Sequence, residues 1–172
     1  MKKSVIVLLI VSLSAIGAFA EDTTASRKVV LETNLAYLGL SAFSTNGSNM
    51  FLVIPLEAQV MISDRVSVNP SLTFLYFGNS GGISDGSMLL GECGIGYHSG
   101  REALCGWSAG ISPGLAYAFD SKLFAFVLSG ELGYQWILGK GLFLGLSGGG
   151  KYIWMNGNLV IPDLKLRIGY AF

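Results

Sequence analysis

Along most of the chain, apolar residues alternate with polar or small ones at a period of two. The segment 160–172 shows this most plainly. Leu164, Leu166, Ile168, Tyr170 and Phe172 are large and apolar, and Lys165, Arg167, Gly169 and Ala171 stand between them. Successive side chains of a strand point to opposite faces, so such a run makes one greasy face and one polar or small face. The same split predicts seven strands upstream. A first, over 29–40, sets Leu31, Leu35 and Tyr37 against Glu32, Asn34 and Ala36, and a second, over 50–62, sets Leu52, Ile54 and Leu56 against Glu57 and Gln59. Others follow over 66–77, 87–98, 105–118, 123–137 and 142–155, with Glu92, His98, Glu131 and Lys151 on their small-residue faces. Between them stand turn-forming runs such as Thr45-Asn46-Gly47, Ser63-Asp64-Arg65, Gly139-Lys140-Gly141 and Asn156-Gly157-Asn158. Eight strands of about a dozen residues joined by short links predict an all-β, antiparallel, up-and-down meander.

Alternation alone fits a barrel with its greasy face inward or outward. The lumen of an eight-stranded barrel is just wide enough to be filled by side chains. The large Leu, Ile, Phe, Tyr and Trp side chains of this chain exceed that space, whereas its Gly, Ser, Ala, Thr and few charges fit. Charge placement agrees. Glu32, Glu57, Glu92, Glu131, Lys151, Lys165 and Arg167 all fall on the small-residue face, and the remaining charges are assigned to turns, loops, strand edges or the N-terminal segment. Composition points the same way. Apolar residues make up 51% and charged residues 13%, against about 25% charged in soluble domains, and mean hydropathy is +0.56. With 11 basic and 11 acidic residues there is no basic excess for a nucleic-acid partner. A transmembrane helix fits poorly, because the apolar stretches are interrupted by Gly and charge. The expected fold is therefore an eight-stranded transmembrane β-barrel, closed because an open edge in lipid leaves backbone groups unpaired.

Residues 1–20 read as a secretory signal peptide, with Lys2 and Lys3, an apolar stretch from Val5 to Ile16, and Ala18-Phe19-Ala20 before Glu21-Asp22. Its removal leaves 9 basic and 11 acidic residues. A short N-terminal segment, 21–28, then precedes the barrel domain, 29–172.

These residues resemble the small eight-stranded outer-membrane barrels of the OmpX and OmpA membrane-domain kind, over the whole mature chain. The most specific likeness is Lys165 to Phe172, alternate hydrophobics ending in Phe. The resemblance implies an outer-membrane location with both termini periplasmic. It also implies that outer-membrane lipid surrounds the barrel, and that Tyr170 and Phe172 are read by the outer-membrane assembly machinery during insertion. The loops near 41–49, 78–87, 119–122 and 156–160 would face outward and the turns near 63–65, 99–104 and 139–141 the periplasm. These outer loops are shorter than in many such barrels.

Four groups carry candidate chemistry. The seven strand charges form an expected interior ionic cluster. Lys165 and Arg167 are placed near Glu32 and Lys151 near Glu131, because unpaired buried charge is costly. Such a network either blocks the lumen or lines a narrow, gated pore. Aromatic residues at the strand ends, Trp107, Trp136 and Trp154 among them, suit two interfacial belts. Cys93 and Cys105 face each other across a hairpin if its turn centres on Ser99, which makes a disulfide possible in an exported protein. His98-Ser99 is the one His-Ser pair, and outer-membrane lipid A deacylases use such residues, but the pair lies at the expected periplasmic end. One His and two Cys supply no metal-ligand cluster, and the glycine runs lack the Lys-Ser/Thr and helix of a phosphate loop. The expectation is a cofactor-free, non-enzymatic, monomeric barrel with a structural or cell-surface role in the envelope. A narrow channel for small solutes and a lipid-modifying enzyme stand as the alternatives.

Overall fold

The computed structural model describes residues 28–43, 49–79, 86–100, 104–155 and 157–172. The expected signal peptide, 1–20, and residues 21–27 of the segment after it lie outside the described residues. Eight strands follow in chain order: β1 (Val29–Asn34), β2 (Asn49–Met61), β3 (Val66–Asn79), β4 (Gly86–His98), β5 (Gly106–Ala118), β6 (Leu123–Leu138), β7 (Leu142–Trp154) and β8 (Asn158–Ala171). One helix, α1 (Leu35–Phe43), stands between β1 and β2. Each strand pairs antiparallel with the next and β8 returns to β1, so the sheet closes into an up-and-down barrel. The start of β1 and the end of β8 meet at one rim, the terminal rim, where the Phe172 amide donates to Val29 O at 2.8 Å.

Side chains divide as the alternation requires. The large apolar residues are on the outside, with Leu132 68% and Ile62 62% exposed. Inside, two apolar clusters bracket a polar middle. Val30, Met61, Leu104, Phe143 and Ala171 close the lumen near the terminal rim, and Leu90, Ala116, Ala125 and Val127 line it toward the opposite, far rim. Inward glycines let neighbouring strands and their side chains approach. At Gly169 a Cβ would collide with the carbonyl oxygen of Leu31 and with Glu32, across the seam where β8 meets β1.

The first strand is shorter than the alternation suggests. Pairing ends at Asn34, and residues 35–43 are helical where a strand to residue 40 was expected. The cause lies on the neighbouring strands. Residues along a strand present their backbone groups to either side in turn. Met61 N–H donates to Lys28 O and Phe172 N–H donates to Val29 O, so odd residues of β2 and even residues of β8 face β1. On that phase stand Pro55 and Pro162, which have no N–H to offer. In this register the last residue of β1, Asn34, already stands opposite Pro55, and a longer β1 would set residue 39 opposite Pro162. The chain instead turns at Asn34, whose Oδ1 accepts the Ala36 N–H at 3.0 Å as an N-cap. The sequence LAYLGLSAF that follows has no β-branched residue to oppose a helix.

The β4–β5 connection also differs from expectation. His98 pairs with Ser108 and Ile95 with Ile111, so Cys93 lies across from Pro113, where the ladder is interrupted. Cys105 is eight positions further along the chain, roughly 27 Å at strand rise, and bonding needs Cα atoms within about 7 Å. The turn is not centred on Ser99, and the possible Cys93–Cys105 disulfide is not formed. The connection is used differently: Leu104, in the left-handed region at φ 63°, turns its side chain into the apolar cluster at the terminal rim.

Replacing Gly169→Ala should lower stability by about 1–3 kcal/mol through overpacking at the closing seam. Urea titration of the refolded protein, read by the gel mobility of the closed barrel, measures this. An unchanged midpoint would mean that β8 and β1 are not held at this close approach.

Candidate functional site

The polar middle of the barrel is built from charges that alternation aims inward. β1 contributes Glu32, β2 Glu57, β4 Glu92, β6 Glu131 and β7 Lys151, and β8 contributes Asp163, Lys165 and Arg167 on one phase. Each cation bridges two carboxylates from different strands. Arg167, 2% exposed, places Nη1 3.4 Å from Glu32 Oε1 and 3.4 Å from Glu131 Oε1. Lys165 Nζ lies 3.0 Å from Glu131 Oε2 and 3.3 Å from Glu57 Oε1. Lys151 Nζ lies 2.6 Å from Glu92 Oε2 and 3.6 Å from Asp163 Oδ2. The result is a chain Glu32–Arg167–Glu131–Lys165–Glu57 and a second group Glu92–Lys151–Asp163.

Two pairings depart from the expected ones. Lys165, expected near Glu32, bridges Glu57 and Glu131 and leaves Glu32 to Arg167. Lys151 does not meet Glu131, because the ladder sets Glu131 beside Gly149 and Lys151 beside Ser129. Lys151 instead reaches across the lumen to β4 and to β8. Asp163, inside the expected strand 160–172 but not counted in the expected cluster, is a member of it and buried. Its signal was its phase: it stands two positions before Lys165 and four before Arg167 on the same face.

Neutral groups fill the remaining acceptor and donor positions. Gln59 Nε2 donates to Glu32 Oε1 at 2.7 Å, Ser129 Oγ donates to Glu92, and Ser147 Oγ donates to Glu131 Oε2 at 3.4 Å. Tyr37, from α1, donates its hydroxyl to Asp163. Below this layer His98 and Ser67 lie 2.8 Å apart, both buried. With its amide nitrogen turned toward them, Gln135 donates to His98 Nδ1 and Leu104 O at 3.2 Å and accepts from Arg167 Nη2 at 3.1 Å. His98 then carries its proton on Nε2 and donates it to Ser67. Ser99 is not its partner: its Oγ accepts from Trp107 N–H at 3.1 Å, at the protein surface.

Buried polar side chains occupy the middle of the lumen. A cavity of about 10 Å³ is bordered by Glu32, Glu57, Asn69, Glu131, Lys165 and Arg167 among others, the space of about one water centre. Glu32 Oε2, Asn69 Oδ1 and Arg167 Nε, on its border, have no protein partner. Among the described residues, no three His, Cys, Asp or Glu side chains are grouped to hold a metal ion.

The sequence-picked aromatics are on the outside. Trp107 and Trp136 stand near the terminal rim, both in ring contact with Tyr134 at 5.5 and 4.8 Å, and Trp154 stands at the far end of β7 against Tyr152. Tyr170 and Phe172 touch each other at 5.1 Å, and the Tyr170 hydroxyl donates to Lys140 O at 2.7 Å.

No protein-family model, curated protein or solved structure matches this chain. The reading of the site therefore rests on its own geometry.

Removing Arg167 leaves Glu32 and Glu131 without their shared cation. Arg167→Leu should cost about 3–5 kcal/mol, the scale for breaking a buried pair from one side. Adding Glu32→Gln should restore part of that loss. Urea midpoints of the single and double variants test this, and strictly additive effects would show that the two side chains are not coupled.

Proposed function

We propose that this chain is an exported outer-membrane barrel whose role is structural or interfacial: it spans the membrane, seals it, and presents short connections outside. The observation that carries the reading is the segregation of the barrel's two faces. Among the described residues, every charge within a strand points inward, and the outward face is apolar. A Lys or Arg facing the bilayer midplane costs about 2–4 kcal/mol, so this exclusion is what lipid demands. In water the same surface would be a large apolar patch over the whole molecule.

The aromatic positions support the same reading. Trp136 pairs with Leu144, ten positions along β7 from Trp154. That is roughly 33 Å of strand, or roughly 25 Å along the axis at a tilt of ~40°, the height of an outer-membrane apolar band. On this reading the terminal rim is periplasmic, the assembly machinery reads Tyr170 and Phe172, and the barrel works as a monomer without a cofactor.

The occupied lumen favours a sealing role over conduction. The ion-paired layer and the apolar cluster around Leu104 and Phe143 lie one behind the other along it, which supports this reading. The His98–Ser67 pair is buried and tied to Gln135.

Protein refolded into planar bilayers should give no unit conductance. Its Trp fluorescence should be quenched by lipids brominated along their chains. Stable conductance steps would favour the narrow-channel reading, and the absence of quenching would remove the membrane from it.

A further inference from the structure

Over its far half, the barrel wall between β2 and β8 is not a ladder. β1 stops at Asn34, opposite Arg167, while β2 and β8 run on to Asn49 and Asn158. The two edges facing this seam carry Pro55 and Pro162, so each lacks one of the N–H groups that a lengthening β1 would need. α1 fills the space, in contact with β2 and β8. The ties between it and the wall are made by side chains. Ser41 Oγ accepts Val53 N–H at 2.7 Å, and Asn34 Oδ1 accepts Leu166 N–H at 3.2 Å from the foot of the helix. The Tyr37 hydroxyl donates to Asp163.

α1 is poorly equipped to be permanent wall. It has nine residues, fewer than a helix needs to be stable alone. Gly39 lies within it, with open space where a Cβ would be, and Leu40 is exposed. Elements held by few buried contacts open at the low end of a protein's range of local stabilities. Behind the seam lie Lys151–Asp163 and Lys165–Glu57, whereas the terminal rim is closed independently by Leu104 and Phe143.

We infer that α1 is a hinged panel of the barrel wall, pivoting at Asn34 and latched by the Tyr37–Asp163 hydrogen bond, which swings out to admit water and small water-soluble molecules from the far rim to the ionic layer without opening a path through the barrel. The site it uncovers is a vestibule lined by paired lysines and carboxylates. The inference depends on the barrel geometry and not on the proposed membrane role.

The test places a reporter in the ionic layer. In a Cys93→Ser, Cys105→Ser background, Ser71→Cys puts a thiol on β3 at the border of the cavity, opposite Glu57 and outside the ion pairs. A small charged methanethiosulfonate reagent measures its accessibility. Adding Tyr37→Phe, which removes only the latch hydroxyl, should accelerate modification at least tenfold, and Ser41→Ala should act in the same direction. With the protein refolded into lipid vesicles, a small dye trapped inside them should stay there. An unchanged rate in both variants, with the folded gel mobility retained, overturns the panel. Dye release from the Tyr37→Phe protein overturns the one-sided access. The rate can equally be read in detergent micelles, so a failure of bromolipid quenching would strike the membrane reading while leaving this measurement decisive.

Discussion

Eight strands enclose a lumen with room for side chains and little else, and the rest of the molecule answers to that narrowness. Most of the large apolar residues cannot be accommodated inside, so they face outward. What remains inside, between two small apolar clusters, is glycine, serine, a few amides and a small set of ionised groups. Charges in so confined a space lose most of their water, and their mutual attraction offsets that loss only if each finds partners with good geometry. Five carboxylates and three cations meet this demand by sharing: each cation serves two acids, and hydroxyls and amides take further oxygens. The barrel is thereby cross-braced through its middle as well as stitched around its wall.

The bracing ties elements that the ladder keeps apart. Arg167 on β8 contacts β1 on one side and, past β7, β6 on the other. Lys151 on β7 contacts β8 beside it and β4 on the opposite wall. A rigid cross-section follows, and it needs no large hydrophobic core. The two small apolar clusters at either end shield this layer, which strengthens the electrostatic contacts within it.

Most of the architecture was legible in the alternation, because a period of two with one apolar phase states which way each residue points. That phase placed Glu32, Glu57, Glu92, Glu131, Lys151, Lys165 and Arg167 on the inside before any contact was known. It held Asp163 as well, at the edge of the last strand segment, where the residue was not counted among the interior charges. The departures share a cause, since each was decided by a neighbour distant in sequence. β1 ends where it does because of Pro55 and Pro162 on other strands. The partner of Lys151 was set by reach across the lumen. The separation of Cys93 from Cys105 was set by a connection that spends residues on turning Leu104 inward.

The Glu32–Arg167 contact spans 135 positions of sequence, so it can form only when the two ends of the chain meet. Until then Glu32 sits on an open edge, and the apolar plug lacks both Val30 and Ala171. Joining ends so far apart carries a large entropic cost before any contact rewards it. A partly assembled sheet therefore gains little from being almost complete. The last pairing supplies the seam, the buried cation and the end cluster together, so assembly should finish as a single late event. The short first strand is the piece that everything else has to wait for.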